Sequence, residues 1–571
     1  MPFVSDSRPW LDRYPPDVPV SLEPYPAASL FSLLQNAAAG FGRQPAIAFF
    51  GRRISYQQLL AEVERFSAVL AGLGVRKGDR VGLLLPNCPE YVIAFYACQR
   101  IGAVAVGNNP LYTERELAHQ LKDAGISVMI VLDQVYATFG KVREAVGVRE
   151  VIGVRLHRYM GFPFSLLAPL KFMREAKKEG HWPFIPPGHT VRWWSDVMKR
   201  TGPVPPVAQV DPATDVAAFL YTGGTTGLSK GAMLSHRNLV ANAMQASAWL
   251  SVVRPGEGGL VVALPFFHSF GTLAMNFGVS KAAKLVLVPR FDLKMVLKAI
   301  AKEKPTLFPG VPRMFLAMGE SPLLGRYDLK SLQACISGAA PLPMAVAQRF
   351  EELAGTGRVV EGYGLTECSP VTHANPLVGD RKEGFIGMPL PDTDVKLVHL
   401  DDPDTIVPRG ERGEMCVRGP QVMLGYWNKP EATALMIRDG WLHTGDVAIM
   451  DDDGYFKIVD RIKDMILVSG FNVYPTEIEE TLYRHPKVST VAVVGLPDPV
   501  TGEHAKAYIV LREGQTATAA EIVAWCRDEG GLTGYRVPKD IEFRDSLPQT
   551  LIGKVLRRVL QDEERQREAA S

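Results

Sequence analysis

Residues 216–236 read Val-Ala-Ala-Phe-Leu-Tyr-Thr-Gly-Gly-Thr-Thr-Gly-Leu-Ser-Lys-Gly-Ala-Met-Leu-Ser-His. The apolar run Val216–Leu220 has the look of a buried strand, and the residues after it make a loop built to hold phosphate. Gly223, Gly224, Gly227 and Gly231 let the backbone turn its N–H groups toward an anion. Thr222, Thr225, Thr226 and Ser229 add short donors, and Lys230 adds fixed charge. The spacing is not that of a Walker A loop, because Lys230 is followed by Gly231 rather than by Ser or Thr. A mere linker has no use for so many hydroxyls beside a lysine. The loop alone therefore indicates nucleotide binding without fixing its class.

Outward from this loop, helical and extended periods alternate. Helices are expected near Tyr56–Leu73, Pro89–Ile101 and Glu114–Ala124, and strands at Val81–Leu85, Val104–Asn108 and Val128–Leu132. This is an α/β winding, and strands without polar alternation imply sheets covered on both faces. Such sheets carry ligand loops at strand ends, where 221–231, 337–343 and 361–367 fall. The Pro-rich, basic stretch 160–210 reads as an insertion between two wound halves. After Asp446 the character changes. A turn at 451–454 leads to a strand Tyr455–Val459. A small α+β unit comes next, with a capped helix Thr476–Tyr483, strands Val491–Val494 and Ala507–Leu511, and a basic helix Leu551–Arg565. The expected division is a large domain over 1–461 and a small carboxyl-terminal domain over 462–571.

Composition excludes several classes. The 571 residues, 47% of them hydrophobic, suffice for a large core. Lys+Arg 63 against Asp+Glu 61 gives no global field for nucleic acid. Cysteines 88, 98, 335, 368, 416 and 526 form no Cys-x-x-Cys pair, which argues against a zinc cage or disulfide framework and for a reducing, cytoplasmic compartment. No export or organelle signal is visible at either end, and no apolar run reaches the roughly 18 residues of a spanning helix. The run Tyr159–Leu170, followed by Lys171, Arg174, Lys177 and Lys178, has two readings of equal weight: a segment lying peripherally in a lipid headgroup layer, or a buried excursion ending in a solvated charged helix.

A second string, Glu361-Gly-Tyr-Gly-Leu-Thr-Glu367, places two glycines around an aromatic on which a base can stack, with Thr366 and Glu367 suited to phosphate oxygen and a magnesium ion. Trp441-Leu-His-Thr-Gly-Asp446, Asp460-Arg461, Ser469-Gly-Phe-Asn-Val-Tyr-Pro475 and Leu551-Ile-Gly-Lys554 come after it in order. Together these strings resemble the adenylate-forming enzymes, which include acyl-CoA synthetases, aryl-CoA ligases, luciferases and peptide-synthetase adenylation domains. The resemblance runs from about Pro9 to Arg565. Trp10–Pro19, Gly419–Trp427 and Asp464–Pro475 are most similar to the bacterial long-chain fatty acid–CoA ligases.

The resemblance implies a large domain of wound α/β subdomains with a small, mobile α+β domain, and it implies roles at matching positions. Thr222, Gly223, Gly224, Thr225, Thr226, Gly227 and Lys230 would close over the ATP β- and γ-phosphates. Gly338, Ala339, Ala340, Glu361, Gly362, Tyr363 and Gly364 would form the adenine slot. Thr366 would contact the α-phosphate, Glu367 would hold magnesium, and Asp446 and Arg461 would hold the ribose. Lys463 matches the hinge, Lys554 the lysine that reaches the α-phosphate and carboxylate, and His268 the histidine at the mouth of the acyl pocket. Gly470 and Phe471 would line the pantetheine tunnel. The expected substrates are fatty acid, ATP and CoA, and relatives are often dimers. Aryl- or medium-chain-CoA ligase and luciferase-type monooxygenase are the alternatives, and a bulky or polar lining behind His268 would favour the aryl reading.

Overall fold

The structure is a computed structural model and describes residues 8–178, 182, 184–185, 189–200, 202–222, 229–355, 357–550 and 555–570. Contacts divide the chain into two compact units, Leu11–Asp394 with Arg418–Gly440, and Val395–Val417 with the amino-terminal residues up to Trp10 and the carboxyl-terminal stretch from Trp441.

The larger unit is built on two sheets with parallel centres. One has the order Gly425–Tyr426, Lys230–Ser235, Val216–Thr222, Val104–Gly107, Arg80–Leu84, Val128–Leu132, Glu150–Val154 and Arg192–Trp193. Leu84, Val106, Met129, Val131, Phe139 and Phe219 make its core on one face. The helices Tyr56–Gly72, Pro89–Ile101 and Glu114–Ala124 fall where periodicity places them. Capping boxes Ser55/Gln58 and Thr113/Glu116 start the first and third, and Pro89 at the first helical position starts the second. The other sheet runs Met388–Pro389, Val371–Ala374, Val359–Gly364, Ala334–Ser337, Leu307–Gly310, Gly259–Val262, Lys284–Leu287, Pro45–Phe49 and Arg52–Ser55.

The stretch 160–210 is not an insertion between wound halves. Its edge strand Arg192–Trp193 pairs with Glu150–Val154, so it is an excursion within the first sheet. Nor is its apolar run buried beyond Tyr159 and Met160. In the helix Phe164–Lys178 and just before it, Phe162, Phe164, Leu166, Leu167 and Leu170 are all exposed.

The other unit holds one sheet from Asp394–Val398, Gly413–Arg418, Trp441–Met450 and Phe456–Arg461, and a second from Phe471–Val473, Ile466–Val468, Gly502–Leu511, Val488–Asp498 and Asp540–Phe543. Ile466, Ile478, Leu482, Val491, Ile509 and Ile522 are the heart of its core. Two expected helix starts shift. The helix Pro475–Tyr483 opens on proline without a side-chain cap, because the Thr476 amide donates to Asp460 at 2.7 Å instead. The last helix spans Arg557–Ala570, since Val555 is held in a bridge to Gln549, and Asp562, Glu563 and Glu564 balance its arginines.

Candidate active site

The strand Val359–Gly364 runs parallel to Ala334–Ser337, then carries on antiparallel to Val371–Ala374, with Tyr363 opposite His373. Glu361–Gly364 is therefore strand rather than the loop expected over 361–367, because the antiparallel partner takes up its backbone hydrogen bonds. The turn proper is Thr366–Cys368. Gly364 is demanded by a close approach: a Cβ there would lie 2.1 Å from the Pro370 carbonyl oxygen. His373, behind Tyr363, is buried and kept neutral, its pKa lowered to about 3 by desolvation.

Gly338, Ala339 and Ala340 leave the end of Ala334–Ser337. A Cβ at Gly338 would sit 3.1 Å from the Phe270 ring and 3.2 Å from the Gly362 carbonyl, so the two halves of the expected adenine slot touch. Ala339 holds a left-handed φ of 70°. For a residue with a Cβ that conformation costs on the order of 1–3 kcal/mol, and such strain gathers at ligand sites.

Both strings open onto one cleft with about 810 Å³ of empty space, part of it facing solvent. Gly338, Ala339, Gly362, Tyr363 and Gly364 line it together with His268, Ser269 and Phe270. Beyond His268 its wall includes Ala246, Trp249, Leu250, Leu260, Leu273, Phe277 and Leu307. His268 caps the helix Ser269–Ser280: its Nδ1 accepts the Phe270 amide at 3.3 Å, which leaves the proton of the neutral ring on Nε2. The next residue, Ser269, brings its Oγ to 3.4 Å from Thr366 Oγ1. The neighbour of the expected acyl-pocket histidine thus meets the expected α-phosphate residue.

Glu367 is only 8% exposed, and its Oε1 accepts the Tyr426 hydroxyl at 2.5 Å. Burial and this carboxylate push the tyrosine pKa far up, so the phenol stays a donor. Lys230, paired in register with Thr222, lies with its Nζ 4.2 Å over the same Tyr426 ring. Tyr426 joins the two charged residues, and it and Ser269 carry no expectation from the sequence, although Tyr426 falls inside a motif that bears the resemblance. Gly223, Gly224, Thr225, Thr226 and Gly227 lie outside the described residues, as does Lys554. The flanks of the loop are fixed: His119 Nε2 is 3.1 Å from the Ser229 carbonyl, and Tyr221 donates to Asp123 at 2.6 Å.

In the other unit, Asp446 and Arg461 face each other across neighbouring strands, with Arg461 Nε 2.9 Å from a carboxylate whose side chain is 2% exposed. Glu414 braces the approach to Asp446, with one oxygen 2.8 Å from His443 Nδ1 and the other accepting the Gly445 amide at 3.1 Å. With Cys416 these form the one trio of metal-capable side chains found among the described residues, and the carboxylate is already satisfied by protein donors. Lys463 stands in the turn Ile462–Asp464 that leaves the Arg461 strand. Desolvation, then the Arg461 charge, holds its ammonium below the usual lysine range. Gly470 has a φ of 82°, and Phe471 stacks on Tyr535 with centroids 4.8 Å apart.

An apolar pocket beside residues expected to meet phosphate, in a chain that also carries a buried pair expected to meet ribose, fits an acid-activating, nucleotide-using enzyme, and comparison with known proteins agrees. The family model described as AMP-binding enzyme matches residues 34–427, and the AMP-binding enzyme C-terminal domain matches 477–554. The chain belongs to the AMP-binding enzyme family. It is 42% identical over 562 residues to a long-chain-fatty-acid–CoA ligase of Bacillus subtilis (strain 168), covering 98% of this chain and 99% of the relative. Among solved structures it is similar to ATP-bound MatB from Rhodopseudomonas palustris, with TM-score 0.81, 30% identity, and 94% and 99% of the two chains covered. It is also similar to the anthranilate CoA ligase AuaEII in complex with anthranoyl-AMP, with TM-score 0.80, 27% identity, and 96% and 98% covered.

Proposed function

We propose that this chain ligates a long-chain fatty acid to CoA through an acyl-adenylate, converting ATP to AMP and pyrophosphate. The observation that supports the acyl half is the apolar cleft wall beyond His268, where Ala246, Leu250, Leu260, Leu273 and Leu307 stand with Trp249 and Phe277 and the lining carries no Asp, Glu, Lys or Arg. A carboxylate resists thiol attack, because its charge repels the nucleophile and oxide does not leave. In the first half-reaction a carboxylate oxygen bonds to the α-phosphorus of ATP as the bond to pyrophosphate breaks. In the second, the CoA sulfur bonds to the acyl carbon and AMP departs with the electron pair.

Charge gathers on the phosphate oxygens during the first step, and Lys230, held over the Tyr426 ring, and Lys554 are the groups to meet it. Tyr363 offers the adenine a face, Thr366 the α-phosphate a hydroxyl, and Asp446 with Arg461 the ribose its partners. Glu367 fits Mg²⁺, which binds through one or two carboxylates plus phosphate oxygens, and its Oε1 is fixed by Tyr426. The ion would neutralise phosphate charge. Lys554 must leave before the thiol arrives, so the reading includes rotation of the body from residue 462 about Lys463, which brings Gly470 and Phe471 to the pantetheine path. The proposed supply of fatty acid is a membrane on which the helix Phe164–Lys178 rests peripherally; no helix among the described residues is long and apolar enough to cross one.

A competition assay with ATP, magnesium and CoA across fatty acids from short to very long, with aromatic acids included, tests the reading. Long chains should win with strict CoA dependence. Preference for an aromatic or short acid, or AMP release coupled to oxygen rather than CoA, overturns it.

A further inference from the structure

The backbone carbonyls of Pro420, Gln421 and Val422 are each taken by a side chain, from two residues that have no part in the reaction scheme. Asn238 Nδ2 donates to Pro420 and to Val422, both at 2.8 Å. Between them the Ser369 hydroxyl donates to Gln421 at 2.9 Å. Asn238 is buried, and its other groups are already engaged. Its Oδ1 accepts the Ser235 amide at 2.9 Å, and its own amide donates to Ser235 Oγ at 3.1 Å, the capping box that starts the helix His236–Trp249. Such a box asks only an acceptor of this side chain. The two amide protons of Asn238 are therefore spent on something the cap does not need, the grip on a distant segment.

That segment carries Glu367. The Met423 amide donates to the Glu367 carbonyl at 2.8 Å, and Tyr426 donates its hydroxyl to the Glu367 carboxylate. Gly425–Tyr426 pairs with the strand Lys230–Ser235, so strand backbone fixes the far end of the segment. Asn238 fixes its near end, together with Ser369, which lies two residues past Glu367 and holds a left-handed φ of 70°. Glu367 is thus held at main chain and side chain by the stretch 423–426, and Asn238 anchors the run that leads into it. Since Ser235 both ends the strand of Lys230 and caps the helix, one asparagine ties the carboxylate to the strand that starts at that lysine.

We propose that Asn238 is a positioning residue for this carboxylate: by gripping the carbonyls of Pro420 and Val422 it sets where Met423 and Tyr426 hold Glu367, and so how Glu367 meets the magnesium ion that accompanies ATP. This rests on the reading of Glu367 as the magnesium ligand. Changing a residue that orients a metal ligand typically costs about 10- to 100-fold in metal affinity or activity. Asn238→Asp is nearly isosteric. It keeps the acceptor of the capping box, where a carboxylate also suits the helix dipole, and replaces both donors by an oxygen that faces carbonyls. Isothermal titration of the full chain with ATP, once with magnesium and once with EDTA, should show wild type preferring the magnesium complex. In Asn238→Asp the affinity for magnesium–ATP should fall about tenfold or more, while that for metal-free ATP stays within about twofold of wild type. Fatty-acid-dependent ATP–pyrophosphate exchange should fall as well and recover at high magnesium. Asn238→Gln keeps the cap and carries its donor one carbon further, so it should fall between the two, and it decides the matter if the aspartate variant does not fold. Equal weakening with and without the metal, or unchanged magnesium–ATP affinity, overturns the proposal. Glu367→Gln, run alongside, separates the two readings. If it abolishes the magnesium preference while the Asn238 variants keep it, the positioning role alone is wrong; if it leaves the preference intact, the Glu367 reading falls and the positioning role with it.

Discussion

Glu90 lies fully buried in the first turn of the helix Pro89–Ile101, and among the described residues its carboxyl oxygens find only the weak neighbours of the Cys88 thiol and its own backbone. Burial pushes its pKa up to about 8 and so keeps it protonated at neutral pH. A folded-state pKa above the unfolded value means that the native state holds the proton more tightly. Its contribution is whole below the ordinary carboxylate pKa and is lost as pH rises toward 8. Each tenfold difference in proton affinity between the two states is worth about 1.4 kcal/mol, so the loss between about pH 5 and 8 is roughly 3 kcal/mol. Calorimetric unfolding of wild type and Glu90→Gln at these two pH values should show the variant losing less stability on the alkaline side; parallel pH dependence would mean that Glu90 ionises without penalty. Nothing in the local sequence marks Glu90 as buried, because one acidic residue in a helix's first turn normally serves the helix dipole in solvent. Lys230 and Glu367 were legible by contrast, since glycine and hydroxyl density surrounds each. Tyr426, which joins them, was not: its hydrogen bond to Glu367 spans 59 residues, and only the folded sheet brings Gly425–Tyr426 alongside Lys230–Ser235.

The helix Phe164–Lys178 leaves Phe162, Leu166 and Leu167 at 83%, 66% and 56% exposure, with Lys171, Arg174, Lys177 and Lys178 on its second half. An apolar face followed by cations suits an anionic headgroup layer, where each basic residue is worth about 1 kcal/mol. Reversing all four charges should release the protein from anionic liposomes in a flotation assay; unchanged binding would sink the membrane proposal. At the turn Ser469–Gly470, no described atom lies within 4 Å of where a Cβ on Gly470 would stand, but its left-handed φ penalises leucine by roughly 1–2 kcal/mol. Asparagine tolerates that conformation, which lets Gly470→Asn control for strain. Gly470→Leu should spare pyrophosphate exchange and block thioester formation, with Gly470→Asn much milder. Loss of exchange in step with thioester formation would assign Gly470 to folding. Elements with unbroken periods, such as Pro89–Ile101 and Glu114–Ala124, were readable to the residue. The errors fell where a pairing that periodicity does not reveal decides the outcome: Val371–Ala374 makes strand of Glu361–Gly364, and Gln549 holds Val555 out of the last helix.

At the scale of the whole molecule, the assigned residues fall into two sets. Lys230, His268, Gly338, Tyr363, Thr366 and Glu367 belong to one compact unit, and Asp446, Arg461, Lys463 and Gly470 to the other, together with Lys554 by sequence. The proposed rotation divides them differently: turning the body from residue 462 about Lys463 would carry Gly470 and Lys554 but not Asp446 and Arg461, so a group needed for phosphoryl chemistry could be withdrawn when a thiol must enter without taking the ribose pair along. Lys554 is where this can be tested most sharply. Its proposed role is confined to the adenylation transition state, so its removal must act on that step alone. Loss of one preorganised charge of this kind costs about 3–4 kcal/mol, or roughly 10²–10³ in rate. Lys554→Ala should therefore cripple pyrophosphate exchange with free fatty acid, yet convert supplied acyl-AMP with CoA at nearly the wild-type rate. Rapid-quench measurement of the two half-reactions separates them cleanly. A lysine that merely supported the fold would damage both, and equal damage would rule out rotation about Lys463 as the means by which this chain alternates between its two steps.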